Sequence, residues 1–154
     1  MATDTAGGQV LDAQEGEALW FFGTLTLVKG EGAYTIVEQR CPRGMTTPLH
    51  VQPDDDEAFH VVEGRASFHV NGEWHEGSTG STAFVPRGTP HAFRADSDDT
   101  RVLIVTTPQH MAFFRAAGEP AAERRLPDPA PPDMEKLMSA AQQFGVEILG
   151  PPPD

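Results

Sequence analysis

Cysteine is almost absent from this chain, since Cys41 is the single cysteine among 154 residues. One cysteine excludes an internal disulfide and lacks the paired spacing of a thiolate zinc site. The sequence therefore fits a reducing compartment, and the thiol is expected to be a packed or edge residue.

Positive charge and long apolar runs are also scarce. Lys and Arg number 11 against 23 Asp and Glu, which gives a net charge of −12. Nucleic-acid and anionic-membrane surfaces need clustered cations, so neither partner is expected. No segment reaches the roughly 20 apolar residues of a membrane span, and the first ten residues lack the basic and apolar regions of a signal peptide. The sequence predicts a cytoplasmic protein whose partner is a small molecule.

Short strand-sized runs fill the centre of the chain from residue 20 to residue 107. They are separated by turn signals such as Val70-Asn71-Gly72 and Pro86-Arg87-Gly88: WFFGTLTLV, AYTIVEQ, AFHVVEG, ASFHV, GEW, STAFVP, HAFRA and RVLIVTT. Runs of this length and spacing predict an all-β sandwich or barrel. We expect a flexible N-terminus over residues 1–15 and a single barrel domain over residues 16–108.

Helical spacing replaces the strand pattern after residue 107. HMAFFRAAG and DMEKLMSAAQQFG predict two short helices within residues 109–148 that cover the barrel, joined by a proline-rich connector. Pro131-Pro132-Asp133 precedes the second helix and Gly145 is a plausible stop. Residues 149–154 are expected to form a flexible tail.

Four polar residues follow a spacing that brings them together on a β-barrel. One residue separates His50 from Gln52, so on a strand both side chains lie on one face. Glu57 begins the next strand, and a hairpin through residues 53–56 would place it beside the first two. His91 follows Gly80, Pro86 and Gly88 and adds a fourth side chain from a distant strand.

These two stretches resemble the two motifs of the cupin superfamily. The first family motif runs Gly, five residues, His-x-His, three or four residues, Glu, six residues, Gly; the second runs Gly, five residues, Pro-x-Gly, two residues, His, three residues, Asn. Here Gln52 replaces the second His and Ala95 replaces the final Asn. The resemblance implies a cupin barrel, a double-stranded β-helix or jelly roll, with His50, Glu57 and His91 as metal ligands.

Gln52 changes the donor set that the resemblance implies. An amide oxygen is a harder and weaker donor than imidazole, so the set becomes two His, one carboxylate and an optional oxygen, like the facial triad of non-haem iron oxygenases. One divalent transition metal is expected, with Fe, Ni, Mn or Co favoured over Zn or Cu. Two roles stay open for Gln52, either metal ligand or hydrogen-bond partner of a bound water or substrate. The alternative to a metal site is an empty one, as in cupins that have lost their ligands.

The remaining candidates take lesser roles. Phe59 and Phe93 share the faces of two ligands and are expected to line an apolar substrate cavity. Glu57 is expected to turn inward and to act as general base, while the other acidic residues of the run from Asp54 form a solvated turn. The other histidines are interpreted as exposed or strand-filling, with His110 the first to examine because it could approach the barrel mouth: His60, His69, His75 and His110.

The flanking segments resemble those of small bacterial cupins that include the monocupin quercetin 2,3-dioxygenases. They are WFFGTLTLV, FFRAAGEPA and FGVEILGPPP. The resemblance implies a dioxygenase of a flavonol-like or phenolic molecule, in which the ligand Glu deprotonates the flavonol hydroxyl, O₂ adds across the ring and carbon monoxide leaves. The departure at Gln52 keeps two alternatives open: a metal-dependent cyclase or isomerase of a polyketide-like intermediate, with the metal as Lewis acid, and a non-catalytic small-molecule binder. A homodimer is expected, with the WFF segment at the contact.

Overall fold

The computed structural model describes residues 7–154, so the first six residues of the predicted flexible N-terminus lie outside the described residues. Two antiparallel sheets enclose the core, and two short helices follow near the C-terminus. The prediction of an all-β jelly roll with short C-terminal helices is confirmed. The strands are β1 (Glu17–Phe21), β2 (Thr24–Glu31), β3 (Thr35–Cys41), β4 (Leu49–Val51), β5 (Glu57–Glu63), β6 (Ala66–Val70), β7 (Glu73–Gly77), β8 (Thr82–Val85), β9 (His91–Ala95), β10 (Thr100–Thr106), β11 (Glu119–Pro120) and β12 (Glu147–Gly150).

One sheet has the strand order β11-β1-β2-β3-β10-β5-β8, and the other has the order β12-β4-β9-β6-β7. Alternate residues of each strand point between the sheets, as the period of two requires. Phe59 from the first sheet and Phe68 from the second meet with ring centroids 5.4 Å apart. The core thus lies between the sheets, and a residue of the right parity on either sheet faces it.

Two-residue turns set the register of two hairpins. Asn71 and Gly72, with φ of 57° and 85°, join β6 to β7 where the sequence predicts a turn. Phe22 and Gly23 adopt φ of 47° and 79° and divide the single predicted run WFFGTLTLV into β1 and β2. Consecutive residues with positive φ are typical of hairpin turns whose twist matches that of the flanking strands. The sequence signal at Phe22 was weak, because a phenylalanine rarely adopts a left-handed conformation.

The helices are α1 (Pro108–Ala117) and α2 (Met134–Gln143). Thr107 caps α1 by accepting a hydrogen bond from the His110 amide at 3.1 Å. Asp133 caps α2 in the same way, as the proline-rich approach predicts, and Gly145 follows its end with φ of 72°. Arg115 links α1 to the barrel by a hydrogen bond to Glu17 of β1 at 2.7 Å, and it also donates to Glu31 of β2.

Two regions differ from their predicted assignments. β12 pairs with β4 and reaches Gly150, within the range 149–154 that the sequence analysis treats as a tail. Phe21 lies in the core with 7% of its surface exposed, and the Trp20 ring nitrogen donates to the Arg125 carbonyl at 2.8 Å. Phe21 therefore packs within its own chain, while Trp20 and Phe22 are partly exposed and the expected dimer contact stays a prediction.

Candidate active site

His50 and His91 face each other across two neighbouring strands. They are register partners in β4 and β9, and their ring centroids lie 4.2 Å apart. The Nδ1 atom of His50 lies 2.8 Å from the Pro48 carbonyl oxygen, and that of His91 lies 2.9 Å from the Thr89 carbonyl oxygen. A carbonyl oxygen only accepts, so Nδ1 carries the hydrogen in both rings. In the neutral rings, each Nε2 therefore presents a lone pair.

Burial keeps His50 neutral. Desolvation, together with the neighbouring His91 ring, lowers the pKa of His50 to about 3. A neutral imidazole with its Nε2 lone pair free is the form that binds a metal ion.

Glu57 places a carboxylate between two histidines. It begins β5, is 3% exposed, and has Oε1 at 3.4 Å from His91 Nε2 and Oε2 at 3.3 Å from His110 Nε2. Burial alone would raise the pKa of the Glu57 carboxyl, but the adjacent His110 and His91 outweigh burial and hold that pKa below its ordinary value. The carboxylate is therefore ionised in the protein interior.

His110 is a site residue whose position the sequence did not predict. It lies within α1, is 3% exposed and contacts Glu57, so the interpretation as an exposed or strand-filling histidine is wrong for this residue. Its ring stacks on Phe113 at 5.2 Å and meets Phe114 edge-on at 4.6 Å. The helical spacing of Phe113 and Phe114 could have indicated that His110 faces inward. Residues three and four apart lie on the same face of a helix, and the two phenylalanines mark that face as apolar.

Asp55 is a second correction, since the predicted solvated turn is not solvated at this residue. Asp55 is 3% exposed and accepts hydrogen bonds from Thr107 Oγ1 at 2.6 Å and from Gln109 Nε2 at 3.1 Å. The Thr107 hydroxyl in turn caps the His110 amide. The acidic run thus fastens the first turn of α1, where a carboxylate is favoured by the helix dipole, while Asp54 is exposed as expected.

Gln52 follows β4 and is 1% exposed. Neither its amide oxygen nor its amide nitrogen has a hydrogen-bond partner within residues 7–154. Gln52 is not among the side chains that line the cavity beside the histidines. A buried amide without partners costs free energy, so this side chain has unused capacity for a ligand, a water or a metal ion.

A cavity of about 60 Å³ adjoins the histidines. Phe59 and Phe93, which the sequence analysis placed at an apolar cavity, both line it and stack with centroids 6.0 Å apart. Both helices and β12 contribute to the wall through Phe113, Phe114, Leu137 and Ile148. The cavity has room for a few water molecules and is smaller than the roughly 300–1,000 Å³ of typical ligand pockets.

The other predicted histidines lie away from this cavity. His60 is exposed on β5 and bonds Thr82 at 2.8 Å. His69 packs edge-on against Trp74 at 5.2 Å, and His75 is exposed on β7. Their places agree with the interpretation of these three as exposed or strand-filling residues.

The donor chemistry fits a divalent cation, although the side chains are not gathered around one point. No group of three or more His, Cys, Asp or Glu within residues 7–154 is arranged to hold a metal ion. His91 Nε2 lies 3.4 Å from Oε1 of the ionised Glu57 carboxylate and makes no hydrogen bond within residues 7–154. Two electron-rich atoms at this distance repel unless a proton or a metal ion lies between them. Imidazole nitrogens with a carboxylate oxygen are the ligands that divalent transition metals prefer.

Comparisons with known proteins agree with this fold. Residues 37–107 match the family described as Cupin domain. Quercetin 2,3-dioxygenase from Bacillus subtilis is 29% identical over 148 residues, which cover 91% of this chain and 44% of that protein. The chain spans about half the length of the curated relatives it matches.

Solved structures show the same architecture. KdgF from a Halomonas species superposes with a TM-score of 0.61 at 21% identity, covering 66% of this chain and 94% of that one. The polyketide cyclase RemF from Streptomyces resistomycificus gives a TM-score of 0.57 at 20% identity, covering 66% and 80%. At these identities the likeness shows the fold alone. Within the described part of the chain, neither helix has the length and apolar character to cross a membrane.

Proposed function

Because residues 37–107 match the Cupin domain family, we propose that this chain is a metal-dependent enzyme acting on a flavonol-like or phenolic small molecule, most specifically a dioxygenase. The observation that carries this proposal is the ionised Glu57 carboxylate, buried between His91 and His110 and facing an aromatic cavity. The similarity to a quercetin 2,3-dioxygenase over 91% of this chain supports the choice of substrate class.

The metal ligands in this proposal are His50, His91 and Glu57. The two Nε2 lone pairs and the carboxylate supply nitrogen and oxygen donors that suit Fe, Ni, Mn or Co. Whether Gln52 adds a fourth donor stays a prediction, which its unpaired amide supports. When bound, the metal would act as a Lewis acid that acidifies a coordinated hydroxyl and would take part in the reaction with O₂.

The protein's own groups perform the remaining steps. Glu57 accepts the proton of the substrate hydroxyl, and His110, with Nε2 at 3.3 Å from Oε2, holds the carboxylate in place and shares that proton. Phe59 and Phe93 present parallel faces against which an aromatic ring can pack. Phe113 and Phe114 close the cavity beside His110 and keep water from the reacting atoms.

Oxygen uptake tests the dioxygenase directly. Purified protein is analysed for transition metals, loaded with Fe, Ni, Mn or Co in turn, and mixed with quercetin in an oxygen electrode cell. We expect O₂ consumption together with release of carbon monoxide. Glu57→Gln, which keeps the shape but loses the base, is expected to lower turnover about 10²–10⁴-fold.

Glu63→Gln is the matched control, because Glu63 ends the same strand and is exposed. It should leave turnover unchanged. Metal-free native protein that gains no activity from any of the four metals would contradict the proposal, as would full turnover by Glu57→Gln.

A cyclase or isomerase is the second candidate, favoured by the Glu57–His110 pair. A carboxylate and an imidazole in contact supply a base and an acid without any oxidant. The anaerobic arm of the same experiment separates the two functions, since a cyclase converts its phenolic or polyketide-like substrate without O₂. The predicted homodimer and cytoplasmic location remain parts of the proposal.

A further inference from the structure

Gln39 places an amide on the inner face of the barrel, within the wall of the cavity. It lies near the middle of β3 between Val37 and Cys41, which point the same way and are 0% and 1% exposed. Its register partners are Thr26 on β2 and Val102 on β10, and Gln39 itself is 5% exposed. A polar side chain thus occupies a position whose flanking residues belong to the hydrophobic core.

The amide nitrogen of Gln39 has no hydrogen-bond partner within the described residues. This Nε2 atom is fully buried and donates to no acceptor. Removing an amide from water without a compensating hydrogen bond is unfavourable. An apolar side chain of similar length would therefore suit this core position better, and the fold gives no reason for an amide here.

The position of Gln39 relative to Glu57 follows from the strand register. Val102 of β10 lies opposite Gln39 on one side and opposite Val61 on the other. Val61 lies four residues beyond Glu57 along β5, so the amide and the carboxylate occupy different levels of the barrel. Both line the same cavity, and Phe59 lies between the two levels. A ligand that meets both groups therefore carries a polar group at each of the two levels and packs against Phe59 between them.

The other polar wall residue outside the histidine–glutamate cluster is already engaged. Thr47 Oγ1 accepts a hydrogen bond from the Phe93 amide at 2.9 Å. At this level of the cavity, the Gln39 amide nitrogen is therefore the polar wall group without a hydrogen-bond partner in the described residues.

We propose that Gln39 is a substrate-binding residue, whose amide donates a hydrogen bond to an oxygen substituent remote from the hydroxyl that Glu57 deprotonates. This role of Gln39 predicts a polyoxygenated aromatic substrate rather than one with a single oxygen function. This inference rests on the proposed function and narrows its substrate.

Gln39→Met is the test variant, because methionine has similar length and no hydrogen-bonding amide. Thr35→Val is the matched control: Thr35 lies on the same face of β3, and its buried hydroxyl also lacks a partner within residues 7–154, but it does not line the cavity. Both changes remove an unpaired buried polar group, so each should raise the Tm by about 2–4 °C. Only Gln39→Met should alter ligand binding.

The probes are quercetin, with oxygen substituents on all rings, and 3-hydroxyflavone, which has no hydroxyl beyond the reacting one. Their Kd values are measured by fluorescence on metal-loaded protein without O₂. Native protein and Thr35→Val should prefer quercetin, whereas Gln39→Met should lose about tenfold in quercetin affinity with little change for 3-hydroxyflavone.

Three other outcomes would overturn the proposed role of Gln39, and they can be told apart. If native protein binds both probes and Gln39→Met keeps the same preference, Gln39 does not contact the substrate and the proposed function stands. If native protein binds neither probe, the proposed function and this inference fail together. A Tm that falls in Gln39→Met but not in Thr35→Val would show that the amide serves the fold instead.

Discussion

At the scale of single residues, Cys41 has a reactivity that follows from its place on β3. The thiol is 1% exposed, and burial raises its pKa to about 12. The thiolate is the nucleophile that attacks thiol reagents, and with this pKa almost none of it exists near neutral pH. We expect iodoacetamide at pH 8 to leave native protein unmodified and to label one thiol in guanidinium chloride, as counted by mass spectrometry. Labelling of the native protein within minutes would show that the thiol is accessible.

The same scale shows which site residues a sequence can reveal. His50, Glu57 and His91 could be placed near one another from strand parity and motif spacing, because alternation along a strand is nearly invariant. Asp55 and His110 could not, since their positions depend on how the start of α1 meets the hairpin before β5. That contact joins segments 52 residues apart through the Thr107 hydroxyl and depends on tertiary packing. The metal-ligand roles themselves remain predictions.

At the scale of elements, Asp55 fixes the start of α1 and thereby the position of His110. Asp55→Asn removes the charged acceptor of Thr107 and Gln109, and we expect it to lower the free energy of unfolding by about 1–2 kcal/mol. Turnover should fall about tenfold with KM nearly unchanged, because His110 no longer stays aligned with Glu57. Urea unfolding and steady-state kinetics measure the two effects.

Asp54→Asn provides the control for this element, because Asp54 is the exposed neighbour in the same turn. It should change the free energy of unfolding by less than about 0.5 kcal/mol and leave turnover intact. Equal effects of the two substitutions would mean that the charge of the turn, and not the Asp55 hydrogen bonds, matters.

Elements with strong local signals were predictable, and those that depend on distant partners were not. The β6–β7 turn has Asn-Gly chemistry, and α2 has both an N-cap and a glycine stop, so each carries its own signal. β11 has only two residues, and β12 forms because it pairs with β4 beside His50. A short strand whose stability comes from its neighbour leaves little trace in its own residues.

At the scale of the whole molecule, the C-terminal elements close the barrel. Leu137 of α2 and Ile148 of β12 complete the wall of a cavity of about 60 Å³, which is too small for a flavonol-sized ligand. We expect these elements to shift when a substrate of the proposed class enters. The strands that carry Glu57 and His91 pair with other barrel strands, so such an opening can leave these two residues in place, whereas β4, which carries His50, pairs with β12.

Attachment of α1 to the barrel makes the stability of the whole molecule depend on pH. Arg115 of α1 bonds Glu17 of β1 and Glu31 of β2, and its hydrogen bond holds the pKa of Glu17 below its ordinary value. A carboxyl with a depressed folded-state pKa stabilises the fold at pH values above its unfolded pKa, and that contribution is lost as pH falls through the folded pKa.

We expect Glu17→Gln to lower the free energy of unfolding at pH 7 by about 0.5–1 kcal/mol, a modest value because the pair is partly exposed. The difference from native protein should shrink below about pH 4. Urea titrations at pH 7, 5 and 3.5 measure it, with the exposed Glu76→Gln as control. A difference that stays constant across this range would show that packing around the side chain, and not its charge, stabilises the contact.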